Sequence, residues 1–294
     1  MSRNDMYTRQ YFGQRAFPSQ DRPRGGAGKG RLIVALVLAA FALISYFSSK
    51  SYNPVTGEEQ YVSITAEQEI ALGLQAAPSM VQQFGGLLQD EEAQALVDRV
   101  GKAVVRRSPA AQSGYPFEFH ALADMQTVNA FALPGGQIFI TAALLSRLET
   151  EGQLAGVLGH EVGHVVGRHG AEHLAKQELT QGLTGSVLLA TFDPENPGSY
   201  NTAQMAQIVA SLINNKYGRE DELESDRFGV AYMSDAAYDP RAMIRVQEIL
   251  DELAGSGRPP EFLSTHPNPE NRIAVIREAI DVKFPGGVPE GMTP

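Results

Sequence analysis

The chain has 294 residues, 43% of them apolar, enough for one large domain or two small ones. It has no cysteine, which excludes a disulfide framework, thiolate metal sites and a cysteine nucleophile. The net charge is −10, and residues 1–31 hold seven of the 24 basic but only two of the 34 acidic side chains. The remaining body is therefore strongly acidic and would repel phosphates, so no nucleic-acid partner is expected.

Residues 1–31 lack apolar periodicity and read as a disordered basic tail. Its "GAGKG" is not a phosphate loop, because Lys29 is followed by Gly30 and no strand precedes it. Leu32–Phe47 carries no charge, and Ser48 and Ser49 extend the stretch. About eighteen helical residues span roughly 27 Å, enough for a bilayer core. A signal peptide would have a shorter leading region and a small-x-small cleavage site, which Ser49-Lys50-Ser51 imitates poorly. Residues 32–49 are expected to form a retained transmembrane anchor. The basic residues before it would keep the tail cytoplasmic and place residues 50–294 across the membrane.

Residues 50–64 read as a polar linker with turn signals at Asn53-Pro54 and Gly57. Thr65 and Gln68 are spaced as a capping box and start a helix. Asp90–Arg107 reads as a second, amphipathic helix. Residues 115–124 alternate like a strand, and 128–141 hold two short strands around Pro134-Gly135-Gly136. Helices are expected over 141–149, 151–178, about 200–216, 219–236, 240–254 and 269–281, then a flexible tail over 284–294. A few strands followed by many helices is an α+β arrangement.

The helix over 151–178 contains "GHEVGHVVGRHG", with His160, Glu161 and His164 forming H-E-x-x-H. Histidines four apart project from one helical face and can reach one zinc ion, and Glu161 lies close enough to take a proton from water there. The surrounding residues are small and apolar, so the helix should be buried, and buried imidazoles need partners. The third ligand is less plain. A metzincin register would put it at position 170, which is Gly170. His169, five residues past His164, should point about 140° away on a continuing helix, and His173 about 180° away. Both read as surface or packing histidines. Downstream, Glu222 and Asp226 form E-x-x-x-D on one face of a helix. Glu222 could bind the metal while Asp226 accepts the N–H of a ligating histidine. Glu224 lies about 200° from Glu222 and should not share the site. Glu220 and Asp221 are weaker rivals.

H-E-x-x-H followed by a distant E-x-x-x-D resembles the gluzincin metallopeptidases. "NAFALPGGQIFIT", "HEVGHVVGRH", "ELESDRFG" and "STHPNPENRI" stand in the order seen in the HtpX, BepA and CAAX prenyl protease family. This resemblance covers about residues 52–282. It implies a zincin-like fold, mostly helical with a small sheet, over residues 65–283; the single apolar span at 32–49 before it departs from HtpX and the prenyl proteases, which have several membrane helices. It implies one zinc ion on His160, His164 and Glu222, with Glu161 as general base and Asp226 behind His160. His266 in "STHP" then corresponds to a histidine near the metal, supporting an oxyanion or capping the zinc at rest. Arg272 matches the arginine that follows, with a structural ion pair as the alternative. Asn129 and Ala130 resemble edge-strand residues that pair with a substrate backbone. The implied activity is peptide-bond hydrolysis in quality control of misfolded envelope proteins at a bacterial inner membrane. Two alternatives remain: an assembly factor with a dormant metal site, and a soluble metzincin using His169. Many relatives carry a lipid-modified cysteine before "NPVTG"; this chain has Tyr52 there, so 32–49 would replace the lipid. No G-x-S-x-G is present to suggest serine catalysis.

Overall fold

The computed structural model describes residues 27–191, 217–255, 260–266 and 271–294. Its first element, α1 (Ala27–Ser48), is long and apolar enough to cross a membrane, and only 6% of its apolar window is buried. A core helix would bury most of that surface, so α1 is consistent with a membrane anchor. Residues 1–26 of the expected tail lie outside the described residues.

The expected linker over 50–64 instead carries an antiparallel pair, β1 (Lys50–Tyr52) and β2 (Glu59–Tyr61). Gly57, at φ 78°, supplies the left-handed residue of the connecting turn. Asn53 there is buried: its Oδ1 accepts from Val55 N at 3.0 Å, and its Nδ2 donates to the Val166 carbonyl at 2.7 Å. A turn signal in the sequence thus conceals a structural anchor.

Thr65 and Gln68 form the expected capping box at the start of α2 (Ala66–Gln83). Asp90 accepts from the N–H groups of Glu92 and Ala93 and starts α3 (Glu91–Arg106), which buries Val97, Val100 and Val104 at helical spacing. A three-stranded sheet follows: β3 (Glu118–Leu122), β4 (Ala130–Leu133) and β5 (Gln137–Thr141). The order is β3-β5-β4, with β3 parallel and β4 antiparallel to β5. Central β5 is buried along its whole length, as its unbroken Ile138-Phe139-Ile140 run requires. Phe139 packs with Leu122, Phe84 and the α2 residues Ala77, Met80 and Val81. Ile138 and Ile140 face the larger core. Among the described residues, strand β4 has a partner on one side only and is an edge.

After α4 (Ala142–Leu145), shorter than the expected 141–149, the chain enters α5 (Glu151–Val166), buried from Gly152 onward. The helix expected over 151–178 breaks here. Arg168 takes a left-handed φ of 57°, and α6 (His169–Thr191) starts afresh. Arg168 is held by buried Glu69, which accepts from its Nε and Nη2 at 2.9 and 2.7 Å. The helix expected near 200–216 lies outside the described residues. Then come α7 (Arg219–Asp235), α8 (Ala242–Ala254), α9 (Phe262–Thr265) and α10 (Arg272–Lys283). A Cβ on Gly163 would lie 3.1 Å from Ser225 Cα, and one on Gly159 3.3 Å from Gly229 Cα. Bare glycine faces therefore let α5 and α7 pack backbone to backbone. Residues 284–294, expected to be flexible, are tied down. Thr293 N donates to the Ala237 carbonyl, Asp239 N donates to the Thr293 carbonyl, and the Pro294 carbonyl accepts from Gly152 N at 2.8 Å in the first turn of α5. That contact uses an N–H the helix itself leaves unpaired. The whole is a mostly helical α+β fold with small sheets.

Candidate metal centre

Close packing of α5 on α7 brings H-E-x-x-H against E-x-x-x-D. His160 Nε2 and His164 Nε2 are 3.1 Å apart; Glu222 Oε2 is 3.4 Å from His160 Nε2 and its Oε1 is 3.4 Å from His164 Nε2. Bonds of about 2.0–2.1 Å to a tetrahedral ion would set donor atoms about 3.3 Å apart. All three separations are close to the edge of such a figure, with one Glu222 oxygen facing each imidazole. His266, at the end of α9, extends it: its Nδ1 is 3.4 Å from His160 Nε2 and 3.0 Å from Glu222 Oε1. Donor atoms from all four residues lie within 4.8 Å of one another.

Each of the four is buried, as is Glu161. Among the described residues, neither Glu161 oxygen has a hydrogen-bond partner, and Glu222 Oε2 and His266 Nε2 also lack one. His266 Nε2 stands 3.6 Å from Glu161 Oε1, an ion-pair distance rather than a hydrogen bond. Buried, unpaired carboxylate oxygens are costly unless something polar belongs beside them. The donor chemistry, the edge lengths and these orphaned atoms all fit a bound metal ion.

The protonation balance fits as well. Burial drives His164 well below its ordinary pKa, against the pull of Glu222, so its Nε2 is free for a metal. Burial and Arg272 also push His160 down, but hydrogen bonds to Asp226 and Glu222 outweigh them and raise it to about 9. Burial would raise Glu222, yet the surrounding His266, His160 and His164 hold it far below the carboxylate range. Burial pushes Glu161 up, the direction expected of a base that must later hold a proton.

Behind these residues lie supports. Asp226 Oδ1 accepts from His160 Nδ1 at 2.9 Å, leaving Nε2 toward the cluster. Arg272, at the start of α10, grips the same carboxylate with two donors, Nε at 2.7 Å and Nη2 at 2.9 Å, and places Nη1 3.3 Å from Glu222 Oε2. Arg272 therefore makes the buried ion pair weighed from the sequence. Burial would lower its pKa, but Asp226 and Glu222 keep it raised and charged.

His169, expected to be a surface or packing histidine pointing away from the metal, stays outside the four-donor group but packs directly behind His164. It is buried, its Nδ1 lies 2.9 Å from His164 Nδ1, and its Nε2 lies 3.0 Å from Glu224 Oε2. The wheel placed it about 140° from His164. The left-handed Arg168 restarts the helix and returns the ring to the back of His164. A Cβ on Gly167 would sit 2.5 Å from His169 Nε2, so only glycine accommodates this return. Glu224 thus serves the periphery rather than the cluster. His173 pairs with Asp221 at 2.7 Å, away from the four donors, and Glu220 is exposed. Tyr217 had no sequence signal: it precedes α7 in an irregular segment, yet its ring stacks on His164 at 3.9 Å.

Asn129 and Ala130 lead into the edge strand. Asn129 is buried and donates its N–H to Thr141 Oγ1 at 3.1 Å; Ala130 pairs with Ile140 of β5. The segment that carries His266 docks here too, with Phe262 N donating to the Val128 carbonyl at 3.1 Å. One short segment therefore fills the fourth corner of the cluster and occupies the backbone beside the open strand edge.

Comparison with known proteins agrees with this geometry. The family model for peptidase family M48 matches residues 91–280. A putative β-barrel assembly-enhancing protease of Vibrio cholerae is 31% identical over 255 residues, covering 84% of this chain and 51% of that protein. The β-barrel assembly-enhancing protease of Escherichia coli K12 is 30% identical over 263 residues, 83% of this chain and 51% of that one. The mitochondrial metalloendopeptidase OMA1 of Danio rerio is 28% identical over 280 residues, 90% and 57%. The chain thus spans about half the length of these relatives. With the family model covering more than half of the chain and the donor cluster inside the matched region, the chain belongs to peptidase family M48.

Proposed function

We propose that the chain is a zinc metalloendopeptidase, anchored in a membrane by α1, with its active centre held shut by His266 in the described state. One zinc per chain would be held by His160, His164 and Glu222. The observation that carries the reading is Glu161: fully buried, beside the donor cluster, with neither oxygen hydrogen-bonded among the described residues. When bound, the metal supplies Lewis acidity toward water and the scissile carbonyl. Glu161 takes the proton of the attacking water on a carboxylate oxygen and passes it to the leaving amine. Asp226 and Arg272 fix the His160 ring. The edge of β4, from Asn129 and Ala130 onward, offers its backbone to an extended polypeptide. For that, the 260–266 segment must leave, which takes His266 off the donor cluster.

The relatives' names, protease and metalloendopeptidase, support polypeptide substrates; misfolded envelope proteins at a bacterial inner membrane are the setting proposed for them. The tail would be cytoplasmic and the catalytic part on the other side. The sealed cluster equally favours a second reading, an assembly factor whose metal site is dormant. Glu161→Gln separates the two when assayed on an unfolded protein such as casein. The variant is expected to retain its zinc and lose turnover, with wild-type cleavage stopped by a chelator. A variant that cleaves at the wild-type rate would refute the role of Glu161. Absence of cleavage in both wild type and His266→Ala would favour the dormant reading.

A further inference from the structure

The chemistry uses only the first turn of α6, yet the helix continues for 23 residues in all. Its charged and ionisable side chains end at Glu178; Leu179–Thr191 carries none. Those thirteen residues make a helix of about 20 Å, roughly two-thirds of a hydrocarbon core. This half of α6 packs along α1. Ser49 O accepts from Val62 N at 3.0 Å and neighbouring Tyr61 N donates to Glu172, whereas Ala42 meets α6 at Gly182. Moving back along α1 therefore moves forward along α6, and the pair is antiparallel. A Cβ on Gly182 would lie 2.7 Å from Ala42 Cβ, so the axes approach closely there. On α1 the sheltered positions Ala35, Ala39, Ala42 and Tyr46 form one stripe, while Ile33, Val37, Phe41 and Ile44 stand outward at 61–70% exposure.

We propose that Leu179–Thr191 of α6 lies within the bilayer beside α1, as a second membrane-embedded segment. The inference rests on the reading of α1 as a membrane anchor. With Ser48 at the outer boundary, Ala42 is about 9 Å deep, and Gly182, packed on it, shares that depth. Small residues at the contact are what close helix packing in lipid requires. Two of the four hydroxyl side chains in the stretch are satisfied within the helix: Thr180 Oγ1 donates to the Lys176 carbonyl at 2.8 Å and Ser186 Oγ to the Gly182 carbonyl at 2.7 Å. Gln181 is the one side-chain amide, near the start of the stretch. At the outer end of α1, Tyr46 stacks on Tyr61 at 4.9 Å and Phe47 meets Tyr61 edge-on at 6.0 Å, an aromatic cluster suited to the headgroup level. Since α6 begins at His169, against His164, the pair would hold the metal centre about 10 Å above that level and direct it to polypeptide lying near the membrane surface.

The chain has neither Trp nor Cys, so one substitution gives an unambiguous probe. The full chain, carrying a single Trp at one of three positions, is reconstituted in phosphatidylcholine vesicles with and without brominated acyl chains. Thr184→Trp is expected to lose at least two-fold of its fluorescence to bromine, like Ile33→Trp on α1, while Leu74→Trp on α2 is unaffected. Thr184→Cys, a smaller change, should resist an impermeant maleimide until detergent is added. Quenching at position 33 with none at position 184, or ready labelling of the Thr184→Cys variant without detergent, overturns the α6 proposal and leaves the anchor standing. No quenching at either position removes the anchor reading itself.

Discussion

Replacing Arg272 with Met tests whether the cluster depends on its buried counter-charge. Arg272 is 1% exposed and donates twice to Asp226, at 2.7 and 2.9 Å, with Glu222 3.3 Å away. Methionine fills much of the volume but leaves two buried carboxylates short of a cation. Breaking a buried pair from one side costs about 3–5 kcal/mol. The expected loss is in that range for metal-free protein at neutral pH, measured by urea unfolding in mild detergent followed by circular dichroism. The pH dependence has a definite sign. In the wild type, burial would raise Asp226, but Arg272 and His160 hold it below its ordinary value. Its contribution is therefore present above the unfolded carboxylate pKa and fades as pH falls through the folded one. Without Arg272 that depression weakens and Asp226 accepts a proton sooner, so the deficit should shrink toward pH 4. Arg272→Lys, which keeps the charge but loses the fork, should fall between. Removing the facing charge as well, in Arg272→Met/Asp226→Leu, should recover much of the loss. A single Arg272→Met variant within about 0.5 kcal/mol of wild type, the scale of an exposed pair, would refute the reasoning.

Three further outcomes are expected. His169→Ala should weaken metal binding about 10- to 100-fold by removing the acceptor behind His164, and His169→Asn should restore part of it through Oδ1; unchanged affinity in His169→Ala, by competition with a chromophoric chelator, would dismiss the contact. His266→Ala should raise basal cleavage of casein several-fold by opening the cluster; a loss of cleavage with zinc retained would instead assign His266 to the reaction. Because His160 stands at about 9 without metal, binding must displace its proton. Apparent affinity should then rise about ten-fold per pH unit up to about 9 and level off beyond; a flat profile between pH 7 and 9 would show that His160 does not compete with protons for the metal.

The donors were legible in the sequence because two of the helices that carry them are regular. His160 with His164, and Glu222 with Asp226, each sit one turn apart, and α5 and α7 preserve that spacing. What the sequence concealed lies at departures from regularity. His169 was misplaced because helical arithmetic cannot see a left-handed Arg168, and that conformation is fixed from afar by Glu69 on α2. Tyr217 has no periodic neighbour to reveal it. The β1–β2 pair and the last residues looked like loose ends because their order comes from single tertiary hydrogen bonds, such as Asn53 to Val166 and Gly152 to Pro294. His266 and Arg272 sit at the ends of short helices, where only resemblance pointed to them.

The most direct measurement is the metal content of the purified chain and of its Glu222→Ala variant by elemental mass spectrometry. His160, His164 and Glu222 acting as a set should give close to one zinc per wild-type chain and a large loss in the variant, with the fold kept by circular dichroism. Wild-type protein that takes up no zinc, or a Glu222→Ala variant that holds it as tightly as the parent, would dismantle the proposed centre and the peptidase chemistry built on it.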